Sequence, residues 1–186
     1  MGCGFEGSGD PLEAPEADEP GSGTAPGSGG TGGGTGGGTG GGTDACPGFT
    51  RIGASYYDLS ATTMTWDAAR TRCGQFPNVT TSHLATFETV EEVSLVNSTL
   101  KNNASMWTGV EQRRQRFSPP NAGWVNQVAA KPIPAGFPWR AGEPNDGAGY
   151  ENGEEDVADL GADGRFDDAP KNRLNLVLCE CEPPTF

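Results

Sequence analysis

Between Glu143 and Asp168 the chain concentrates side chains that carry oxygen donors. Glu143 and Asn145 flank Pro144, and Asp146 follows. Glu151, Glu154, Glu155 and Asp156 come next, and Asp167-Asp168 close the stretch. Calcium takes about six to eight oxygens from carboxylates, amides, carbonyls and water. The stretch offers them in two groups, one around Pro144 and one at Asp167-Asp168. The plainer reading is a solvated acidic loop, so the elements around it have to decide whether these groups converge.

Charge favours cation binding over polyanion binding. The sequence has 186 residues and a formal net charge of −13. Residues 1–44 hold 18 of the 30 glycines and seven acids, with no lysine or arginine. That leaves 18 acids against 12 bases in residues 45–186, a net of −6. Nucleic acid and anionic membrane surfaces both require a basic face, which this balance does not offer. No stretch is long and apolar enough to span a membrane.

The five cysteines are Cys3, Cys46, Cys73, Cys179 and Cys181, and the sole histidine is His83. None of the cysteines forms a CxxC pair and there is one histidine, which argues against a zinc site of the usual Cys/His type. Two disulfides in an oxidising compartment fit better. Met1-Gly2-Cys3-Gly4, followed by polar residues, reads like the start of a mature bacterial lipoprotein, with Cys3 lipidated and anchored to a membrane; a stray terminal cysteine is the alternative. Glu6 stands where a myristoylation signal needs Ser or Thr.

Residues 1–44 read as a disordered tether, acidic and proline-rich first (Pro11, Pro15, Pro20, Pro26), then Thr-Gly-Gly-Gly repeated from Thr31 to Gly42. Glycine at that density loses too much entropy on ordering without a core to offset it. About 33 flexible residues reach roughly 30 Å. The second domain, residues 45–186, holds nearly all the aromatic and branched side chains.

The elements of that domain can be read in order. Ile52 to Leu59 suits a strand. Thr65 is placed to N-cap a helix through Trp66, Ala69 and Cys73, with Asp67 in its first turn. His83-Leu84-Ala85 is a short extended return, in which His83 reads as structural. Thr89 and Glu92 form a capping box for a helix whose Val93, Val96 and Leu100 share one face. Met106 to Val110 is a buried-strand candidate. Glu111 to Asp163 reads as irregular, and a loop of that length inside a compact domain calls for a function. Leu174 to Leu178 returns to strand.

Order and spacing together resemble the C-type lectin-like domain. The resemblance rests on Thr65–Cys73 as first helix, Ser82–Phe87 with Glu91-Glu92 as strand and second helix, and Trp107-Thr108-Gly109-Val110 as core strand. It rests further on Trp139–Asn145 as calcium loop and Leu176–Glu180 as last strand. It covers about residues 46–186 and implies an α+β double-loop fold, with two helices, small antiparallel sheets and a long calcium-binding loop.

It also implies a Cys73–Cys179 bridge. Cys46 lacks its usual local partner, since Ser55 stands in that neighbourhood. Because first and last strands pair in this fold, Cys46–Cys181 is the best alternative. The family's loop bridge is missing, with Val157 and Lys171 at its positions. The implied calcium ligands are Glu143, Asn145, Glu155, Asp167 and Asp168. Glu151 or Glu154 competes with Glu155, because the loop carries an insertion around residues 147–153. Asp146 and Asp156, with Glu155, are candidates for a second ion.

The function implied is a calcium-dependent carbohydrate-binding module, not an enzyme. It would be extracellular or on a cell surface, and would meet glycans of a cell surface or extracellular polysaccharide. Glu143, Asn145, Glu155 and Asp167 would share hydrogen bonds with two adjacent hydroxyls of a mannose-, glucose-, N-acetylglucosamine- or fucose-type sugar. Asp167 replaces the family's asparagine and removes one donor. The alternative is a protein-binding or adhesion module in which calcium only orders the loop. A hydrolase using paired carboxylates fits worse, because the acids cluster as ligands. Of the four tryptophans, Trp124 lies in the long loop, and it and Phe137 are the candidates for stacking on a sugar. The oligomeric state is left open.

Overall fold

In a computed structural model of the chain, the described residues are 46–77, 79, 81–100, 103–113, 119–147 and 154–183. Cys3, the expected tether at residues 1–44 and Glu151 lie outside them. One compact unit, Gly41–Phe186, carries every described element.

The expected α+β content is present, with different boundaries. β1 (Thr50–Ile52) and β2 (Ser55–Leu59) form a hairpin rather than the single strand expected over residues 52–59. Gly53 turns the chain there with a φ of 65°, a region that a residue without Cβ enters freely. The first helix, α1 (Trp66–Cys73), begins after Thr65, whose backbone is extended (φ −68°, ψ 159°). Thr65 is the N-cap by position, but its hydroxyl makes no capping bond. The Trp66 amide is satisfied from elsewhere in the chain, donating to the Lys171 carbonyl at 3.0 Å. After β3 (Ser82–Leu84) comes α2 (Val90–Leu100), where the Glu92 amide donates to Thr89 Oγ1 at 3.1 Å. The Glu92 carboxylate reaches back one residue further than a strict capping box, to the Glu88 amide at 2.9 Å.

The remaining strands are β4 (Met106–Gln112), β5 (Trp124–Asn126), β6 (Val157–Leu160), β7 (Phe166–Ala169) and β8 (Leu176–Cys181). The sheet order is β1-β2-β8-β4-β6-β7, with β3 on β8 and β5 on β4. β4 and β8 pair in parallel through Met106↔Leu176 and Trp107↔Val177, and the other pairs are antiparallel. Two of these strands, β5 and β6, fall inside the stretch expected to be irregular. The last strand starts two residues later than expected and runs on through Cys181, leaving Leu174 exposed.

β4 is central, and both its faces are covered, with six of its seven residues buried. The Trp66 indole donates to the Thr108 carbonyl at 3.0 Å, and the Trp107 indole to Met64 O at 2.8 Å. Both large rings are thereby buried without an orphaned N–H. Gly109 is required by close approach: a Cβ there would lie 2.6 Å from the Leu84 carbonyl oxygen.

Cys73–Cys179 ties α1 to β8, and Cys46–Cys181 ties the start of the domain to the end of the same strand. One core cluster surrounds the first bridge with Trp66, Ala69, Leu84, Trp107 and Val177. A larger one includes Phe87, Val93, Val96, Met106, Phe166 and Leu178.

Trp124 and Phe137 belong to that larger core and are 5% and 8% exposed, so they are not surface platforms for a sugar. Trp139 packs edge-on to Trp124 at 4.8 Å, and Phe137 lies 4.2 Å from Phe166. Burial of ring area outweighs exposure here, because each ring has an aromatic neighbour to cover it.

Candidate functional site

The two donor groups are brought together by backbone pairing. Trp139 bridges Phe166 in parallel, with Arg140 N donating to Phe166 O at 2.8 Å and Phe166 N to Pro138 O at 2.9 Å. Phe166 is clamped below by Phe87, Phe137 and Trp139. The aromatic core thus fixes the register that sets Glu143–Asp146 beside Asp167-Asp168.

Glu143-Pro144 is a cis peptide bond. The Asn145 side-chain Nδ2 donates to Glu143 Oε2. One oxygen each from Glu143, Asp167 and Asp168 lies within 4.8 Å of the others. Asp168 is 2% exposed, and its carboxylate accepts the Asn145 amide (3.1 and 3.0 Å to its two oxygens) and the Asp146 amide (2.6 Å). Asn145 Oδ1 is buried and has no hydrogen-bond partner.

Asp146 is 1% exposed with a φ of 53°, a conformation that Asp adopts more readily than most residues. Its Oδ1 accepts the amides of Glu154 (3.2 Å) and Glu155 (3.0 Å), pinning the chain where it returns from the inserted segment. The Glu155 carboxylate sits against Gly147, where an added Cβ would be 3.3 Å from Oε2. Glu155 stands outside the tight three-carboxylate group but close enough to act on Glu143 electrostatically. Asp156 lines a separate depression with Glu154, Pro170, Lys171 and Asn172.

Two arginines that sequence reading did not single out flank the acids. Arg140 donates to Asp167 Oδ2 at 3.1 Å and pairs with Asp163 at 3.4 Å. Arg173 pairs with buried Asp159 at 3.2 Å and stands 3.6 Å from Asp167 Oδ2. Asn175 also donates to Asp159, at 2.9 Å. The added charge of Asp167, relative to an asparagine, is thereby offset by two guanidiniums. No sequence signal marks this network, because its members are distant in sequence and ion-pairing has no periodicity.

Crowded like charges leave a mark on Glu143. Burial first, then the neighbouring Asp168, Asp167 and Glu155, push its carboxyl up to about 7. Glu155 is raised too, by burial and then by Asp168. Elsewhere in the domain, burial pushes Glu180 up to about 7. A carboxyl whose folded pKa is raised binds more protons folded than unfolded, so stability falls as pH rises between the two values. The metal-free protein should therefore melt at a lower temperature at pH 7.5 than at pH 5, as thermal unfolding in chelator would read. A melting temperature that rises over that interval would contradict the raised values.

The profile of the lectin C-type domain matches residues 62–181, well over half of the sequence. The chain belongs to the C-type lectin domain family. Its fold is shared by solved structures of that family. The mouse scavenger receptor C-type lectin carbohydrate-recognition domain is 24% identical with a TM-score of 0.61, over 75% of this chain and 98% of that one. The cow carbohydrate-recognition domain of CD23, solved in the presence of a GlcNAc2Man3 oligosaccharide, is 19% identical with a TM-score of 0.59, over 75% and 98%. A calcium-independent type II antifreeze protein is 23% identical with a TM-score of 0.57, over 75% and 95%. A search of curated protein sequences finds no significant match. A neighbour in fold can thus be calcium-independent, and the donor atoms of this chain carry the question further.

Proposed function

We propose that this C-type lectin domain binds carbohydrate through a calcium ion held by Glu143, Asn145, Asp167 and Asp168, with Glu155 closing the shell. The observation that carries the reading is the orphaned Asn145 Oδ1, buried beside three converging carboxylates. A buried acceptor without a donor costs about 1–3 kcal/mol, and acids packed together repel. A hard divalent cation answers both, and an all-oxygen donor set suits calcium. The fit therefore rests on the chemistry of this chain's own donors.

Calcium, when bound, would offer open coordination positions to two adjacent sugar hydroxyls. Glu143 and Asp167 accept hydrogen bonds from those hydroxyls, and the Asn145 amide donates one. Asp168 holds the Asn145 and Asp146 amides, so it orients the Glu-Pro-Asn segment as well as contributing an oxygen. Arg140 and Arg173 keep Asp167 in place and return part of the donor capacity lost when aspartate replaces asparagine. Glu-Pro-Asn favours mannose-, glucose-, N-acetylglucosamine- or fucose-type ligands, because Asn145 donates where a carboxylate cannot. One site binds sugar weakly, so a lipid anchor at Cys3 and the tether of residues 1–44 would add avidity at a cell surface.

A glycan array run with calcium and with chelator tests the reading. Binding to mannose-type glycans that disappears in chelator is the expected result. Binding that persists in chelator refutes it. Calcium affinity without any sugar binding favours instead a protein-binding module whose loop calcium orders. Glu143→Gln combined with Asn145→Asp should move preference toward galactose.

A further inference from the structure

A second group of ligating atoms lies away from the long loop, where β3 meets β8. His83 of β3 is paired directly with Glu180 of β8. Directly opposed residues of an antiparallel pair project to the same face, and Glu182 follows immediately after the end of β8. His83, Glu180 and Glu182 accordingly bring one nitrogen and two carboxylate oxygens within 4.8 Å of one another.

Two of the three residues hold a buried polar atom without a hydrogen-bond partner. Glu180 is fully buried; its Oε2 accepts the Thr86 amide at 2.9 Å and the Thr86 hydroxyl at 3.1 Å, while Oε1 has no hydrogen-bond partner. His83 Nδ1 lies 2.9 Å from the Leu84 carbonyl oxygen, which can only accept, so Nδ1 carries the proton. In the neutral ring that leaves Nε2 with its lone pair, and Nε2 too is buried without a partner. Each of these two opposed residues thus buries a polar atom without a hydrogen-bond partner, and Ser55 adjoins the Glu180 carboxyl. A metal-binding histidine has this form, one ring N–H fixed on a carbonyl and the other nitrogen free.

We propose that His83 Nε2, Glu180 Oε1 and the Glu182 carboxylate bind a divalent transition-metal ion of the zinc class, separately from the calcium loop. One imidazole nitrogen with two carboxylate oxygens suits zinc, which favours few, close ligands, better than calcium, which takes oxygen and more of it. Tetrahedral bonds of about 2.0–2.1 Å set ligand atoms roughly 3.3 Å apart, within the observed limit. Exposed Glu182 provides the way in, and water would take the fourth position. Bound there, the ion would clamp β3 onto β8 between Cys179 and Cys181, joining segments that no local contact in sequence connects.

The single histidine makes the test direct. The full-length protein, held in saturating calcium, is titrated with zinc while the imidazole resonances of His83 are followed by NMR and the heat by calorimetry. One zinc per chain should bind with displacement of the Nε2 signal. Since losing even an outer partner costs about 10–100-fold in metal affinity, His83→Gln should cost at least 100-fold. Glu182→Gln, at an exposed position that cannot unfold the domain, should weaken binding by about tenfold or more. No binding overturns the proposal, as does zinc that binds without moving the His83 resonances, for instance at the Cys3 thiol. Affinity unchanged by Glu182→Gln overturns it too.

Discussion

Asp168→Asn is expected to lower calcium affinity by about a hundredfold or more, on the scale over which ligand charge tunes such sites. It should also loosen the loop without calcium present. Asp168 spends both oxygens on the amides of Asn145 and Asp146, at 2.6 to 3.1 Å. Bonds from an amide to a charged acceptor contribute about 1.5–3 kcal/mol each. Asparagine keeps one carbonyl oxygen, loses the charge and turns an N–H toward other N–H groups. The metal-free variant should therefore lose about 2–3 kcal/mol, with faster amide exchange at residues 145 and 146. Calorimetry with calcium reads the first effect, and hydrogen exchange in chelator reads the second. An affinity equal to the wild type's would remove Asp168 from the site. Slow exchange at those amides would show that it does not hold the segment.

Loss of both disulfides should unfold the domain at room temperature, whereas loss of either alone should not. Cys46–Cys181 and Cys73–Cys179 span 135 and 106 residues and are nested. In the chain-entropy model the first bridge formed contributes about 5 kcal/mol. Once one is closed, the short path around the other is only about thirty residues, so the second adds about 3–4 kcal/mol. Together they amount to about 8 kcal/mol, comparable with the whole stability of an ordinary domain. Thermal unfolding of Cys73→Ala/Cys179→Ala, of Cys46→Ala/Cys181→Ala and of the combined variant checks this. Each pair should lower the melting temperature by roughly 10–15 °C and the combination should show no cooperative transition. A combined variant that still melts cooperatively would mean that the core alone suffices.

These two results bear on different kinds of legibility. The helices could be read because Trp66, Ala69 and Cys73, or Val93 and Val96, recur with the period of a helix facing a core. β4 could be read because Met106, Trp107 and Val110 stand close together without a charge between them, as suits a strand covered on both faces. β5 and β6 could not. They are three and four residues long and stand among Gly, Pro, Asn and Asp, too short for any period to show. The β1–β2 hairpin was hidden for the same reason, since Gly53 and Ala54 interrupt what reads as one strand.

The sequence by itself determined the donor types at Glu143, Asn145, Asp167 and Asp168, the calcium-like chemistry they suit and the cysteines available for bridging. Covalent chemistry belongs to each residue, so it is present before folding. Tertiary structure decided which of these atoms converge, because the 4.8 Å grouping depends on Trp139 pairing with Phe166 over a shared aromatic core. It also decided that Trp124 and Phe137 are core, that Arg140 and Arg173 balance Asp167, and that His83 and Glu180, paired across two strands, each bury a polar atom without a partner. Burial, ion-pairing and the loss of a hydrogen-bond partner are relations between residues far apart in sequence, and they come into being only when the strands are packed.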